Sequence, residues 1–187
     1  ISQVQDTSGR CYSLGRVLGE GGQGKVYAVE TGRLAVKIIN LNAPDEAREQ
    51  LRQRLAFVRR LPLDDVPIAR PLETLRAPHA GYVMELLADM EPIRNLIRPG
   101  KGVESIKGWY LAGGGLRRRL RLLARCAEAL GQLHGKGLVY GDLSPHNVFV
   151  SSSSRNEEVW LIDADNLQFE SSPGKASICC TIAGRAR

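Results

Sequence analysis

Between residues 12 and 40 the chain reads YSLGRVLGEGGQGKVYAVETGRLAVKIIN, and the glycines at 19, 21 and 24 limit what it can fold into. They follow the spacing G-x-G-x-x-G, with Val26 two residues beyond. Glycine reaches positive φ without steric cost and lets a backbone approach a phosphate closely. In a dinucleotide-binding unit this spacing opens a helix. Here it runs into KVYAVE, rich in β-branched and aromatic residues, which reads as a strand. RLAVKII follows the TG turn, so the expectation is three antiparallel strands around a glycine-rich turn.

The next segment changes period. DEAREQLRQRLAFVRRL places Ala47, Leu51, Leu55 and Val58 on one stripe, which predicts a helix with Pro44 in its first turn. IARPLETLRA and GYVMELL read as two more strands. From about Leu87 the pattern turns helical. Leu116, Leu120, Leu123, Ala127, Leu130 and Leu133 recur every three or four residues and stop at Gly135 and Gly137. NVFV and VWLID are short strands separated by the polar SSSSRNEE. The fold class is therefore α+β: an antiparallel-sheet lobe at 11–86 and an incomplete, mainly helical one at 87–187.

Composition narrows the function classes. The chain has 187 residues, 43% hydrophobic and 25% charged, which is ordinary globular usage. The net charge is +6, concentrated at Arg48–Arg60 and Arg117–Arg125. Both clusters carry leucines at helical spacing and read as solvated faces of amphipathic helices, so no nucleic acid partner is expected. Cys11, Cys126, Cys179 and Cys180 show neither metal-ligand spacing nor a disulfide framework. No apolar run is long enough to span a membrane and nothing resembles a signal peptide, which leads us to expect a cytoplasmic protein. Ile1 at the start reads as a missing or processed beginning. SICCTIAGRAR, without period, cap or apolar face, reads as a truncation or a shifted frame.

Four polar residues stand out against these elements. Lys37 in LAVKII is flanked by Ala35, Val36, Ile38 and Ile39, a lysine on a largely buried strand and suited to pairing with phosphates. In VYGDLSPHNVFV, Asp142 can accept the proton of an attacking hydroxyl, and Asn147 can offer an amide oxygen to Mg2+. Pro145 stiffens the loop between them. Asp163 in VWLIDADN ends an apolar strand, where an acid can bind a metal that bridges nucleotide phosphates.

In this order the motifs resemble the protein kinase superfamily over residues 12–170. The glycine loop is Gly19–Val26, AVK ends at Lys37, and MELL at 84–87 corresponds to the hinge. YGD at 140–142 with Asn147 matches the catalytic loop, and DAD at 163–165 stands where the family has Asp-Phe-Gly. The resemblance implies an ATP- and Mg2+-dependent kinase acting on Ser or Thr hydroxyls of a protein. Asp142, Lys37, Asn147 and Asp163 would be catalytic, with Asn147 and Asp163 holding the metal. Gly19, Glu20, Gly21, Gly22 and Gly24 would cover the phosphates. Val26, Ala35 and Phe149 would enclose adenine, with Met84 as gatekeeper, Glu85 and Leu87 supplying hinge backbone groups, and Glu91 reaching the ribose. The helix glutamate that pairs with the lysine would be Glu49 or Glu46, with Glu49 preferred.

The departures are specific. Gly141 replaces the arginine before the catalytic Asp, and Ser144 the lysine two residues after it. Asp165 replaces the glycine of Asp-Phe-Gly; its acid could share the metal. GDLSPHN is also similar to the loops of RIO-type kinases and antibiotic phosphotransferases. The alternatives are thus a RIO-like or small-molecule phosphotransferase, or a nucleotide-binding pseudokinase acting as an interaction module.

Overall fold

A computed structural model describes residues 2–22, 24–30, 32–40 and 45–169. Pro44, Cys179, Cys180 and the SICCTIAGRAR tail lie outside the described residues. The N-terminal half is a six-stranded antiparallel sheet in the order β1-β2-β3-β4-β6-β5. Its strands are β1 (Gln3–Gln5), β2 (Cys11–Gly21), β3 (Gly24–Val29), β4 (Leu34–Ile39), β5 (Glu73–Thr74) and β6 (Gly81–Glu85), with helix α1 (Asp45–Val58) between β4 and β5. The three strands expected over 12–40 and the α1 helix are present. The β1 strand, ahead of Cys11, adds an edge by pairing Val4 with Tyr12.

Alternation along β4 sorts its side chains between two cores. Val36 and Ile38 join Val4, Tyr12, Leu14, Val29, Leu75 and Val83 on one face. Ala35 turns to the other face, with Tyr82, Met84, Ala69 and Leu55 of α1. Lys37 shares the parity of Ala35, so the same pleat that buries Val36 and Ile38 directs the ammonium toward the α1 side. Leu55 and Val58 are fully buried; burial of each contributes roughly 1.5–3 kcal/mol toward holding α1 in place.

The C-terminal half contains β7 (Met90–Pro92), α2 (Arg94–Ile97), α3 (Ile106–Ala112), α4 (Gly115–Gly135), β8 (Leu138–Tyr140), β9 (Val148–Ser151), β10 (Val159–Leu161) and β11 (Leu167–Phe169). Its core gathers Leu122, Ala129 and Leu133 of α4 with Tyr140, Val148, Val150, Val159, Leu161 and Leu167. Val58 at the end of α1 and Leu63, Val66 and Ile68 in the segment after it reach into this core. There the Leu161 N–H donates to the Pro67 carbonyl and the Ala69 N–H to the Leu161 carbonyl, both at 2.8 Å. Backbone pairing therefore fixes the end of β10 against the N-terminal half.

The basic stretch at 117–125 divides by face. Arg117, Arg121 and Arg125 are exposed, as an amphipathic helix requires. Arg118 is instead buried and donates to the carbonyls of Gly113, Ser151, Ser153 and Asn156. It fastens the polar 151–156 loop to the start of α4, a use of the charge that helical spacing does not reveal. Among the described residues no helix is long and apolar enough to cross a membrane.

Candidate active site

The loop from Gly141 to Asn147 is closed by its own hydrogen bonds. Asn147 Nδ2 donates to the Asp142 carbonyl at 3.0 Å and to Asp142 Oδ2 at 2.9 Å. The Asn147 N–H donates to the Ser144 carbonyl at 3.0 Å. With its amide nitrogen spent on Asp142, Asn147 keeps its Oδ1 as an acceptor. Asn147 is 9% exposed and Asp142 only half-buried, so the acid can still meet a substrate.

Asp163 follows β10 in a left-handed conformation, φ 61° and ψ 51°, which aspartate tolerates better than most residues. The Ile162 N–H donates to the Asn147 carbonyl at 3.0 Å, and the Tyr140 hydroxyl donates to the Ile162 carbonyl. The two candidate metal ligands, Asn147 and Asp163, are thereby joined through backbone. Burial, with the nearby Asp163 and Asp142 charges, holds the Tyr140 phenol well above the ordinary tyrosine range.

Lys37 meets this group from the opposite sheet. Its Nζ lies 2.9 Å from Asp163 Oδ1 and 3.1 and 3.2 Å from the two oxygens of Asp165. Burial works against the ammonium, yet the Asp165 and Asp163 carboxylates outweigh it and raise its pKa above the usual lysine value. Burial also raises the Asp163 pKa; Lys37 opposes this and Asp165 adds to it. Among the described residues no group of three or more His, Cys, Asp and Glu could hold a metal ion. The donors Asn147 Oδ1 and Asp163 fit the way Mg2+ is held, by one or two protein oxygens together with substrate phosphates and water.

The other expected residues sort into those brought together and those not. Val26, Ala35, Met84 and Leu87 share one apolar cluster, joined by Ile162 and Leu86. Phe149 is half-buried on β9, opposite Trp160 and Pro92, and is not part of that cluster. The Leu86 N–H is taken by the Arg33 carbonyl at 2.8 Å, between Glu85 at the end of β6 and Leu87. Glu91 accepts from Asn95 Nδ2 at 2.8 Å and borders a cavity of roughly 500 Å³ lined also by Arg94, Arg98 and Trp109; none of the Lys37 cluster lines it.

In the glycine loop, Gly19 pairs with Val26 and Glu20 with Lys25, whose ammonium meets the Glu20 carboxylate at 2.8 Å. A Cβ at Gly19, Gly21 or Gly22 would touch nothing, whereas at Gly24 (φ 155°) it would overlap the Ile38 carbonyl. Packing thus explains Gly24 but leaves the other three as bare backbone.

The expected helix glutamate is corrected. Glu49 accepts from Arg52 Nη1 at 2.7 Å and from Gln53 at 3.5 Å, and its side chain is 56% exposed. Glu46 is exposed as well. The inward stripe of α1 is taken by Leu51 and Leu55, and Glu49, two positions before Leu51, falls on a different face. Sequence reasoning also missed Tyr82, Tyr140 and Ile162. An apolar residue just before the acid that ends a strand could have indicated Ile162.

The fold and this arrangement define a two-part kinase-like architecture, and comparison with known proteins agrees. The lipopolysaccharide kinase (Kdo/WaaP) family model matches residues 96–177. The serine/threonine-protein kinase pkn2 of Myxococcus xanthus is 31% identical over 155 residues, covering 79% of this chain and 17% of the relative. Protein kinase YegI of Escherichia coli is 26% identical over 183 residues, covering 95% of this chain and 26% of the relative. The crystal structure of the Mycobacterium tuberculosis PknI kinase domain aligns with a TM-score of 0.58 at 21% identity, covering 89% of this chain and 61% of that one. The chain is thus similar in sequence to protein kinases over most of its length and shares the protein-kinase fold. It spans only about a sixth to a quarter of the length of these two curated relatives.

Proposed function

We propose that this chain transfers the terminal phosphate of ATP, with Mg2+, to a Ser or Thr hydroxyl of a protein substrate. The observation that supports this best is the meeting of buried Lys37 from β4 with Asp163, which backbone bonds join to the Asn147–Asp142 pair. Phosphoryl transfer asks a protein mainly for positioning and charge neutralisation. In this reading Asp142 orients the attacking hydroxyl and takes its proton, and Asn147 fixes the Asp142 carboxylate through Nδ2. Lys37 neutralises the inner phosphates, and the bare backbone of Gly19–Gly22 covers them. Val26, Ala35 and Met84 would border adenine, Phe149 would close it from below, and Glu85 and Leu87 would offer backbone groups. Glu91 would reach the ribose. Mg2+, held by Asn147 and Asp163, would supply charge neutralisation between the phosphates. The lobes would divide near residue 86, with the nucleotide between them, in the cytoplasm.

A second reading has its own support. The family model over 96–177 includes Asp142, Asn147 and Asp163, and Ser144 stands where a protein kinase carries lysine. Both features favour a sugar hydroxyl as acceptor, with the same nucleotide chemistry.

Titration with MgATP by calorimetry tests the shared part. The parent should bind, and Lys37→Met and Asp163→Ala should each weaken binding about tenfold or more, a loss of about 1.4 kcal/mol, with unchanged circular dichroism. Full affinity in both variants would remove these positions from the site.

A further inference from the structure

The lysine at the centre of the site has a carboxylate partner in an unexpected place. Asp165 presents both oxygens to Lys37 Nζ, at 3.1 and 3.2 Å, across 128 residues of sequence. The Tyr82 hydroxyl donates to Asp165 Oδ1 at 3.0 Å. Tyr82 is fully buried and sits directly opposite Lys37 in the β4–β6 register, with its ring centroid 5.9 Å from the ammonium. Asp165 is therefore gripped from β4 and β6 together.

We propose that Asp165, held by Tyr82, is the residue that positions Lys37, and that no glutamate of α1 takes part. The proposal rests on the nucleotide-site reading above. Lys37 contacts two carboxylates, Asp163 through one oxygen and Asp165 through two. Asp163 is also the proposed metal ligand, and a carboxylate drawn toward a metal loosens its hold on an ammonium. Asp165 remains as the second counter-charge. Without it a lysine side chain only 4% exposed would lose its fixed geometry, and a buried charge that loses its partner is costly.

Helix α1 contributes differently. Arg54 Nη2 donates to the Leu167 carbonyl at 2.9 Å, so α1 braces the segment that carries Asp165, while Glu49 and Glu46 face solvent. Removal of the α1 carboxylates should leave Lys37 in place. Asp165 thus acts through Lys37 as a positioning residue.

The test uses the whole chain with 15N-labelled lysine. In the nucleotide-free parent the Lys37 ammonium should give a slowly exchanging signal, because it is buried and paired. Asp165→Asn should abolish or shift that signal, and Glu49→Gln and Glu46→Gln should leave it intact. MgATP affinity should fall about tenfold in Asp165→Asn and about threefold in Tyr82→Phe. Adenosine affinity should stay the same, and Asp165→Glu should recover part of the loss. If about tenfold more Mg2+ restored Asp165→Asn, Asp165 would be a metal ligand and the proposal would be overturned. An equal loss in Glu49→Gln, or an unchanged ammonium signal in Asp165→Asn, would overturn it too. A parent that binds no nucleotide would overturn the nucleotide reading and with it the role proposed for Asp165. A parent that binds while Asp165→Asn matches it would overturn this proposal alone.

Discussion

Gly81 shows how one missing side chain shapes the site. It opens β6 at φ 152°, and a Cβ there would overlap the Lys37 carbonyl. The next residue, Tyr82, stands in register with Lys37 and carries the hydroxyl that holds Asp165. Alanine at 81 would have to force β6 away from β4 at this point. Gly81→Ala should cost about 1–3 kcal/mol, read as a lowered urea midpoint with an unchanged slope, and MgATP binding should weaken with it. A midpoint equal to the parent's would show that the two strands can separate freely. Gly141 is a related case: a Cβ there would lie 2.9 Å from the Asn166 carbonyl, and its N–H donates to that carbonyl at 3.2 Å. The family's arginine is absent where the chain after Asp163 passes close by. Lys37, Asp142, Asn147 and Asp163 were legible because rare polar types sit within or beside apolar strands in a fixed order. The partnership of Asp165 with Lys37 was not, since it depends on how two sheets meet in space.

At the scale of elements, the turn between β1 and β2 depends on one buried acid. Asp6 has no exposed surface, and its carboxylate accepts from the Ser8 N–H, Ser8 Oγ, the Arg10 N–H and Tyr12 Oη, at 2.9, 2.7, 2.9 and 2.7 Å. Burial opposes ionisation, but these donors outweigh it and hold the carboxyl below the ordinary aspartate range. A carboxyl whose folded pKa is depressed contributes its full stability above the unfolded value near 3.9. That contribution is lost as pH falls through the folded value. Asp6→Asn should therefore destabilise the chain by about 1–3 kcal/mol near neutrality, and the difference from the parent should shrink below about pH 4. Denaturant melts at neutral and acid pH would check it; a difference that grew on acidification would contradict the assignment. Sequence period found β2, β3, β4, β6, α1 and α4, and the short apolar runs NVFV and VWLID marked β9 and β10. It missed β1, β7, β8 and β11, each three residues long, because pairing with a distant strand makes them, and α3, whose residues are none of them buried.

Over the whole molecule, two apolar cores meet where the site lies. The N-terminal sheet supplies Lys37, Tyr82 and Met84, and the β8–β9–β10 region supplies Asp142, Asn147 and Asp163. The α4 stripe read from sequence is mostly not the inward face: Leu133 is fully buried, but Leu116, Leu120 and Leu123 are 57–60% exposed, and Arg118, Leu122, Cys126 and Ala129 turn inward with Leu133 instead. Helical spacing identified the helix but not the face that the strands cover. The central claim, that these halves form a phosphoryl-transfer site with Asp142 as its base, is tested most directly by Asp142→Asn. Transfer of label from [γ-32P]ATP would be followed to a generic basic protein and, separately, to a free sugar. The account predicts MgATP affinity within about twofold of the parent and transfer lowered about a hundredfold or more, the scale of a positioned base. Transfer equal to the parent's, to whichever acceptor the parent labels, would contradict it.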